Sequence, residues 1–254
     1  MPNDLLKGIW IVNTRPIHQA ASLTQNIKKE GGCLLHFPLI EITPFNDTKT
    51  RKRLQGLIDY DIVIFVSSNA VNQTLELIGT NILAKKTLAT TGKKTAQALL
   101  KNSLLVHFCP ETFFNSEALL AVNGFTQACK NKKVAIVRGS SGRDYLKNKL
   151  AALGAKVDYI DVYSKHCPQK NLNELRTAFN NKELDIVLLT SASSTANFFA
   201  LSNNERWIDE ITLLIGSSRM QHEIPSEFKG KILIADDPSD ETLLNKLTTE
   251  SNKR

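Results

Sequence analysis

Short apolar runs, each broken by small polar residues, set the rhythm of this chain. Two of them match closely. Asp61-Ile-Val-Ile-Phe-Val-Ser-Ser-Asn-Ala and Asp185-Ile-Val-Leu-Leu-Thr-Ser-Ala-Ser-Ser open on an aspartate and pass through apolar, partly β-branched residues. Both then break into hydroxyl and amide residues ahead of a helical pattern. That order reads as a buried parallel strand, its carboxyl tip and a helix start. The two lie 124 positions apart, as do Gly92 and Gly216, and Glu117-x-Leu-Leu and Glu241-x-Leu-Leu. Arg15 and Arg138, Leu23 and Leu146, and Gly31 and Gly154 repeat at 123. A near-constant offset over many landmarks marks an internal duplication, roughly 9–120 and 134–244, far too long for a solenoid unit.

In the first copy the pattern predicts a strand over 9–13, then a helix that starts near Pro16 and turns Ala20, Leu23 and Ile27 inward, then a strand over 33–37. A charged helix near 48–58 precedes the strand over 61–66, whose tip carries Ser67, Ser68 and Asn69 before a helix over about 70–78. A strand over 87–91 turns at Gly92-Lys-Lys-Thr95 into a helix over 95–101. A strand over 104–108 and a helix capped by Ser116 complete the copy. The second copy predicts strands over 133–138 and 156–159 around a helix over 144–153. From Asp185 follow a strand, a helix over 194–201, strands over 212–215 and 231–235, and a helix over 241–247, with 248–254 a disordered tail. The stretches 38–44 and 160–165 read as extended connectors. Strand and helix alternating through short turns predict α/β domains, each a parallel sheet covered on both faces, with the binding surface at the carboxyl ends of the strands.

Composition narrows the class. With 254 residues, 42% hydrophobic and 22% charged, the chain reads as soluble and globular with room for two domains. No apolar run approaches the roughly 18 residues of a membrane span. The first eight residues lack a signal peptide's apolar core, so a cytoplasmic location is expected. Cys33, Cys109, Cys129 and Cys167 show neither C-x-x-C spacing nor a paired histidine, and are expected as buried free thiols. The five histidines have no triad-like or metal-like spacing either. A net charge of +7 fits either an anionic partner or a lysine-rich solvated surface.

The polar tips carry the candidate chemistry. Arg138-Gly139-Ser-Ser-Gly142-Arg143 can cradle an anion on backbone N–H groups, or serve as a plain βα turn. It is neither a Walker A nor a dinucleotide fingerprint. Ser67-Ser68-Asn69 and Ser191-Ala-Ser193-Ser194 can be simple N-caps. Anion-ready tips in both halves, facing an expected inter-domain cleft, point to a ligand with several negative groups.

Taken in order, these residues resemble the uroporphyrinogen-III synthase family over nearly the whole chain. The resemblance is carried by Thr14-Arg15-Pro16, Val66-Ser67-Ser68-Asn69-Ala70-Val71, Gly92-x-x-Thr95-Ala96-x-Ala98-Leu99, and Pro110 with Ser116-Glu117-x-Leu-Leu. Arg138-Gly139-x-x-Gly142-Arg143, Gly154-Ala155-x-Val157 leading to Val162-Tyr163, and Thr190-Ser191 extend it. The family implies two flavodoxin-like parallel-sheet domains joined by a two-stranded β linker, with the chain interleaved. Residues 1–38 would pack with 168–254, 44–160 would form the other domain, and 39–43 and 161–167 would be the linker strands. Departures occur at Gly216-Ser217-Ser-Arg219, where the first half has Gly92-x-x-Thr95, and at Lys165, a basic residue that the family places directly after the tyrosine.

The resemblance also implies an activity. The substrate would be hydroxymethylbilane, a linear tetrapyrrole bearing many carboxylates. It loses water, inverts its last pyrrole ring through a spiro intermediate and closes to uroporphyrinogen III, with no metal or cofactor. Tyr163 matches the family's cleft tyrosine and is the candidate general acid. Arg15, Ser67, Ser68, Asn69, Gly92, Thr95, Arg138, Gly139, Arg143, Ser191, Ser193, Gly216 and Ser217 are the candidate substrate-binding residues. A monomer without nucleic-acid or membrane partners is expected. The competing class is a non-enzymatic two-domain binder of a phosphate or polycarboxylate.

Overall fold

The structure is a computed structural model and describes residues 4–203 and 205–251. In chain order come β1 (Trp10–Asn13), α1 (Ile17–Lys29), β2 (Cys33–His36), β3 (Glu41–Pro44), α2 (Thr48–Gln55), β4 (Ile62–Phe65), α3 (Ser68–Ile78), β5 (Thr87–Thr90) and α4 (Lys93–Leu100). Then follow α5 (Ser116–Leu120), α6 (Phe125–Cys129), β6 (Lys133–Gly139), α7 (Tyr145–Ala151), β7 (Lys156–His166), α8 (Asn173–Asn180), β8 (Ile186–Leu189), α9 (Ala192–Ser202), β9 (Thr212–Ile215), β10 (Lys231–Ile234) and α10 (Asp240–Ser251). The chain divides into two compact units. One runs to Glu41 and resumes at His166; the other is Ile42–Lys165.

The first unit holds a parallel sheet in the order β10-β9-β8-β1-β2. Numbered within the unit, that is the flavodoxin-like order 2-1-3-4-5 read from the other edge. Its strands are apolar on both sides because both faces are covered. Val187 and Leu189 join a core with Phe37, Leu175 and Phe198, while Ile186 and Leu188 join one with Leu23, Ile27, Leu243 and Leu247. The second unit, in the order β3-β7-β6-β4-β5, repeats β2-β1-β8-β9 as β7-β6-β4-β5, with β3 added outside β7 and only a bridge at Phe108 where the match of β10 would fall. Val63 and Phe65 face one core with Leu54 and Leu99, and Ile62 and Ile64 face another with Phe125 and Leu150. β3 sits beside β7 at the edge of this sheet, so the extended connector over 38–44 ends as a paired strand.

The aspartates that open the repeated runs do the same work in both units. Asp185 Oδ2 accepts the Trp10 N–H at 2.9 Å, and Asp61 Oδ2 accepts the Lys133 N–H at 2.8 Å. Each carboxylate thus satisfies the first N–H of a neighbouring strand, a donor at the sheet's amino edge with no ladder partner.

Four local expectations are corrected. The strand over 104–108 is reduced to a single parallel bridge between Ala89 and Phe108, because the His107 ring nitrogen Nδ1 takes the Leu88 N–H at 3.1 Å where a strand carbonyl would bond. Asn115, not Ser116, caps α5, its Oδ1 accepting the Ala118 N–H at 2.8 Å. Helices α3 and α9 begin two residues early, since Ser67 and Ser191 act as their caps. The expected disordered tail is helical through Ser251, where Leu247 is buried and Glu250 pairs with Lys231; 252–254 lie outside the described residues. No helix among the described residues is long and apolar enough to cross a membrane.

Candidate active site

In an open parallel sheet the chain winds outward in opposite directions from two central strands, and a crevice opens at their carboxyl ends. In the first unit those strands are β1 and β8, which brings the 14–16 segment to the 190–194 turn. In the second they are β6 and β4, which brings 138–143 to 67–69. Gly216-Ser217 and Gly92 follow the next strands outward, β9 and β5, on the same edges.

At the first crevice the polar groups bond to one another. Thr14 Oγ1 donates to the Leu188 carbonyl. Arg15 is buried, with its guanidinium paired to Asp240 and donating to the Pro238 carbonyl at 2.7 Å. Ser191 Oγ accepts the Ser194 N–H and Ser194 Oγ accepts the Ser191 N–H, both at 3.1 Å, a closed capping box. Ser193 is exposed in the first turn of α9. Gly216 is buried, and a Cβ there would lie 2.8 Å from Pro238 Cβ; Ser217 precedes a 3₁₀ turn over Ser218–Glu223.

The second crevice holds a phenol. Tyr163 is 3% exposed, and its hydroxyl lies 3.0 Å from Ser67 Oγ. Ser67 Oγ also accepts the Ala70 N–H at 3.1 Å, so one hydroxyl both caps α3 and meets the phenol. The ring fits because Gly139 lies beneath it: a Cβ at 139 would stand 2.6 Å from the ring. The β6–β7 register slips here, from Arg138 opposite Asp161 to Gly139 opposite Tyr163, and the Ser140 N–H donates to the Tyr163 carbonyl at 2.8 Å. Ser68 and Asn69 are half-buried in the first turn of α3.

The other candidates of this unit have partners of their own. Arg138 Nε donates to Asp161 at 3.2 Å, Nη1 lies 3.6 Å from Asp144, and the guanidinium stacks 3.5 Å from the centre of the Tyr159 ring. Burial pushes the Tyr159 hydroxyl pKa up to about 12, with the Asp144 and Asp161 carboxylates adding and Arg138 opposing. Arg143 is exposed and forks onto Glu117 at 2.7 and 3.1 Å. Thr95 is buried in the first turn of α4, and Gly92 precedes that helix against Phe114. No local sequence pattern pairs any of these arginines. The one available signal is that Asp144, Asp161, Glu117 and Asp240 stand at helix starts or beside the connector tyrosine.

Among the described residues no cluster of three or more His, Cys, Asp or Glu side chains could hold a metal ion. All four cysteines are free, but only Cys129 is buried, and burial pushes its thiol up to about 12; the other three are half-buried. Two surface cavities of about 270 and 350 Å³ lie at the opposite, amino ends of β5 and β6, beside Lys86 and His107 and beside Arg53 and Lys133. They contain none of the tip residues.

A family model described as uroporphyrinogen-III synthase HemD matches residues 21–245. The chain belongs to the uroporphyrinogen-III synthase family. That family's members are cyclising lyases of tetrapyrrole biosynthesis. The uroporphyrinogen-III synthase of Salmonella typhimurium is 27% identical over 244 residues, covering 93% of this chain and 99% of that protein. The porphyrin biosynthesis protein HemD of Ruminiclostridium josui is 23% identical over 95% of this chain, which spans only 48% of its length. In fold, the chain is similar to a mutant uroporphyrinogen III synthase from Thermus thermophilus, with TM-score 0.65 at 17% identity over 97% of this chain and 99% of that one. The synthase from Helicobacter pylori gives 0.62 at 18% identity, over 97% and 100%.

Proposed function

We propose that this uroporphyrinogen-III synthase-family chain cyclises hydroxymethylbilane, acting as a cytoplasmic monomer without nucleic-acid or membrane partners, and that Tyr163 and Ser67 together hold the proton for the departing hydroxyl. The observation that carries this is the 3.0 Å contact between the two hydroxyl groups at the carboxyl tip of β4. Tyr163 is enclosed, while Ser67 is half-buried at the strand tip, so Ser67 is the end of the pair that meets substrate. As the carbon–oxygen bond breaks, Ser67 gives its proton to the leaving hydroxyl, which departs as water, and takes the phenol's proton in exchange. The pair is reset by the proton that the ring carbon loses when the macrocycle regains its aromatic pyrroles. Proton transfer of this kind contributes about 10²–10⁴ in rate.

Substrate carboxylates are met mainly by backbone N–H groups and helix N-termini at 67–69, 92–95, 139–143, 191–193 and 216–217. The partial positive charge of a helix start favours anions there. Arg15 and Arg138 are committed to Asp240, Asp161 and Asp144, so we assign them to shaping those tips. Arg143 is exposed and can exchange Glu117 for a substrate carboxylate.

Bilane also closes unaided to the uninverted isomer, so the task is selection. A thousandfold preference for attack at the substituted carbon needs about 4 kcal/mol of differential transition-state stabilisation, within the reach of positioning. The test is the product ratio from fresh hydroxymethylbilane with catalytic amounts of protein and no added metal or cofactor. Uroporphyrinogen III in large excess over isomer I is expected. Dominant isomer I, matching a protein-free control, would instead support a binder that leaves the outcome unchanged.

A further inference from the structure

We infer that Phe113 and Phe114 form an aromatic contact for the pyrrole rings of the substrate, an inference that rests on the synthase reading. Phe113 is 80% exposed and Phe114 55%, side by side on the segment that leaves the carboxyl edge of the second sheet after Phe108. Phe113 also has φ +53°, the left-handed region that a bulky side chain rarely adopts. Two exposed aromatic rings, one on an unfavourable backbone, have no folding rationale of their own.

The duplication shows what the fold requires at this place. Gly92 and Gly216 correspond at an offset of 124, and so do Phe114 and Pro238. Each glycine packs on its matched residue: a Cβ at 92 would lie 3.1 Å from Phe114 Cβ, and one at 216 would lie 2.8 Å from Pro238 Cβ. In the first unit the compact pair Asp237-Pro238 therefore covers the strand tip. The scaffold needs a small apolar cover, and two phenyl rings turned to solvent exceed that need.

Position and charge identify the occupant. Phe114 touches Gly92, the residue before α4, and the next two residues are the exposed Lys93 and Lys94. Apolar ring faces beside cations and a helix start suit a ligand that combines flat aromatic rings with carboxylates, the chemistry of a carboxylated tetrapyrrole. A membrane or protein partner would call for a larger continuous apolar patch than two adjacent rings.

The experiment is steady-state kinetics with hydroxymethylbilane on the full chain, comparing wild type with Phe113→Ser and Phe113→Trp. Phe113→Ser is expected to raise KM about tenfold with kcat within threefold and an unchanged melting temperature, since the ring packs little, and Phe113→Trp to restore KM. A KM within twofold of wild type in Phe113→Ser overturns the inference. So does a wild-type dimer that dissociates in Phe113→Ser at unchanged KM, which would assign the rings to a contact between copies. If wild type yields only isomer I, the synthase reading fails by itself, and fluorescence titration with uroporphyrin III decides the ring contact. A Kd weakened about tenfold in Phe113→Ser then supports it, and a Kd within twofold overturns it.

Discussion

At the tip of β8, Ser191 closes its hydrogen bonds on Ser194, whereas at the tip of β4 the matched Ser67 caps its helix and also meets the Tyr163 phenol. The cause lies two strands away. At an offset of 123, Gly139 corresponds to Pro16 and Tyr163 to Ile40. Only the second unit has an aromatic hydroxyl together with the bare backbone that makes room for its ring. The arginines diverge in the same way. Arg15 is locked onto the start of α10 by Asp240, while the matched Arg138 lies among Asp161, Asp144 and Tyr159. One scaffold therefore occurs twice, with its crevice closed by structural hydrogen bonds in one unit and holding a buried phenol against a cap serine in the other.

The largest effect that separates the units is expected from Tyr163→Phe. It should lower kcat by about 10²–10⁴ while thermal unfolding loses only about 1 kcal/mol, the worth of one hydrogen bond. Single-turnover kinetics and calorimetry measure the two, and a kcat drop under threefold would remove the phenol from the reaction. Arg15→Ala should act oppositely, costing about 3 kcal/mol of stability by removing the buried guanidinium that bonds both Asp240 and the Pro238 carbonyl. Urea denaturation reads this directly, and a loss under about 1 kcal/mol would argue against a locked role.

Gly139→Ala is expected to lie between these, at about 1–3 kcal/mol of overpacking against the Tyr163 ring, with turnover falling as the phenol is displaced. An unchanged melting curve together with unchanged turnover would mean the ring has room elsewhere. The smallest effect should come from Arg143→Ala, whose exposed pair with Glu117 contributes at most about 1 kcal/mol. A larger loss of stability would place Arg143 in the structural class with Arg15.

Much of this was legible in the sequence, for reasons the structure makes physical. Strands covered on both faces must be apolar throughout, so 62–65 and 186–189 stand out, and the caps Ser67 and Ser191 follow them directly. What periodicity cannot reveal is long-range pairing. An offset near 124 is satisfied whether strands pair within a copy or across copies, and Asp185 bonding to Trp10 is visible only in three dimensions. The Arg15–Asp240 pair spans 225 positions, and nothing local announces it. The strand expected at 104–108 failed because His107 supplies a side-chain acceptor, a competition that an apolar pattern does not encode. The room for Tyr163 was readable after the fact, from the exchange of Pro16 for Gly139 between the copies.

The most direct measurement is the turnover of Ser67→Ala set beside that of Ser191→Ala. Both remove an N-cap hydroxyl at matched positions, worth about 1 kcal/mol in each, and Ser67→Ala also loses the phenol bond, worth about 1 kcal/mol more, so kcat is compared on folded protein. Only Ser67 touches the phenol. The kcat is expected to be at least tenfold lower in Ser67→Ala and within threefold of wild type in Ser191→Ala. Equal kcat values in the two variants would contradict the placement of the proton chemistry at the tip of β4.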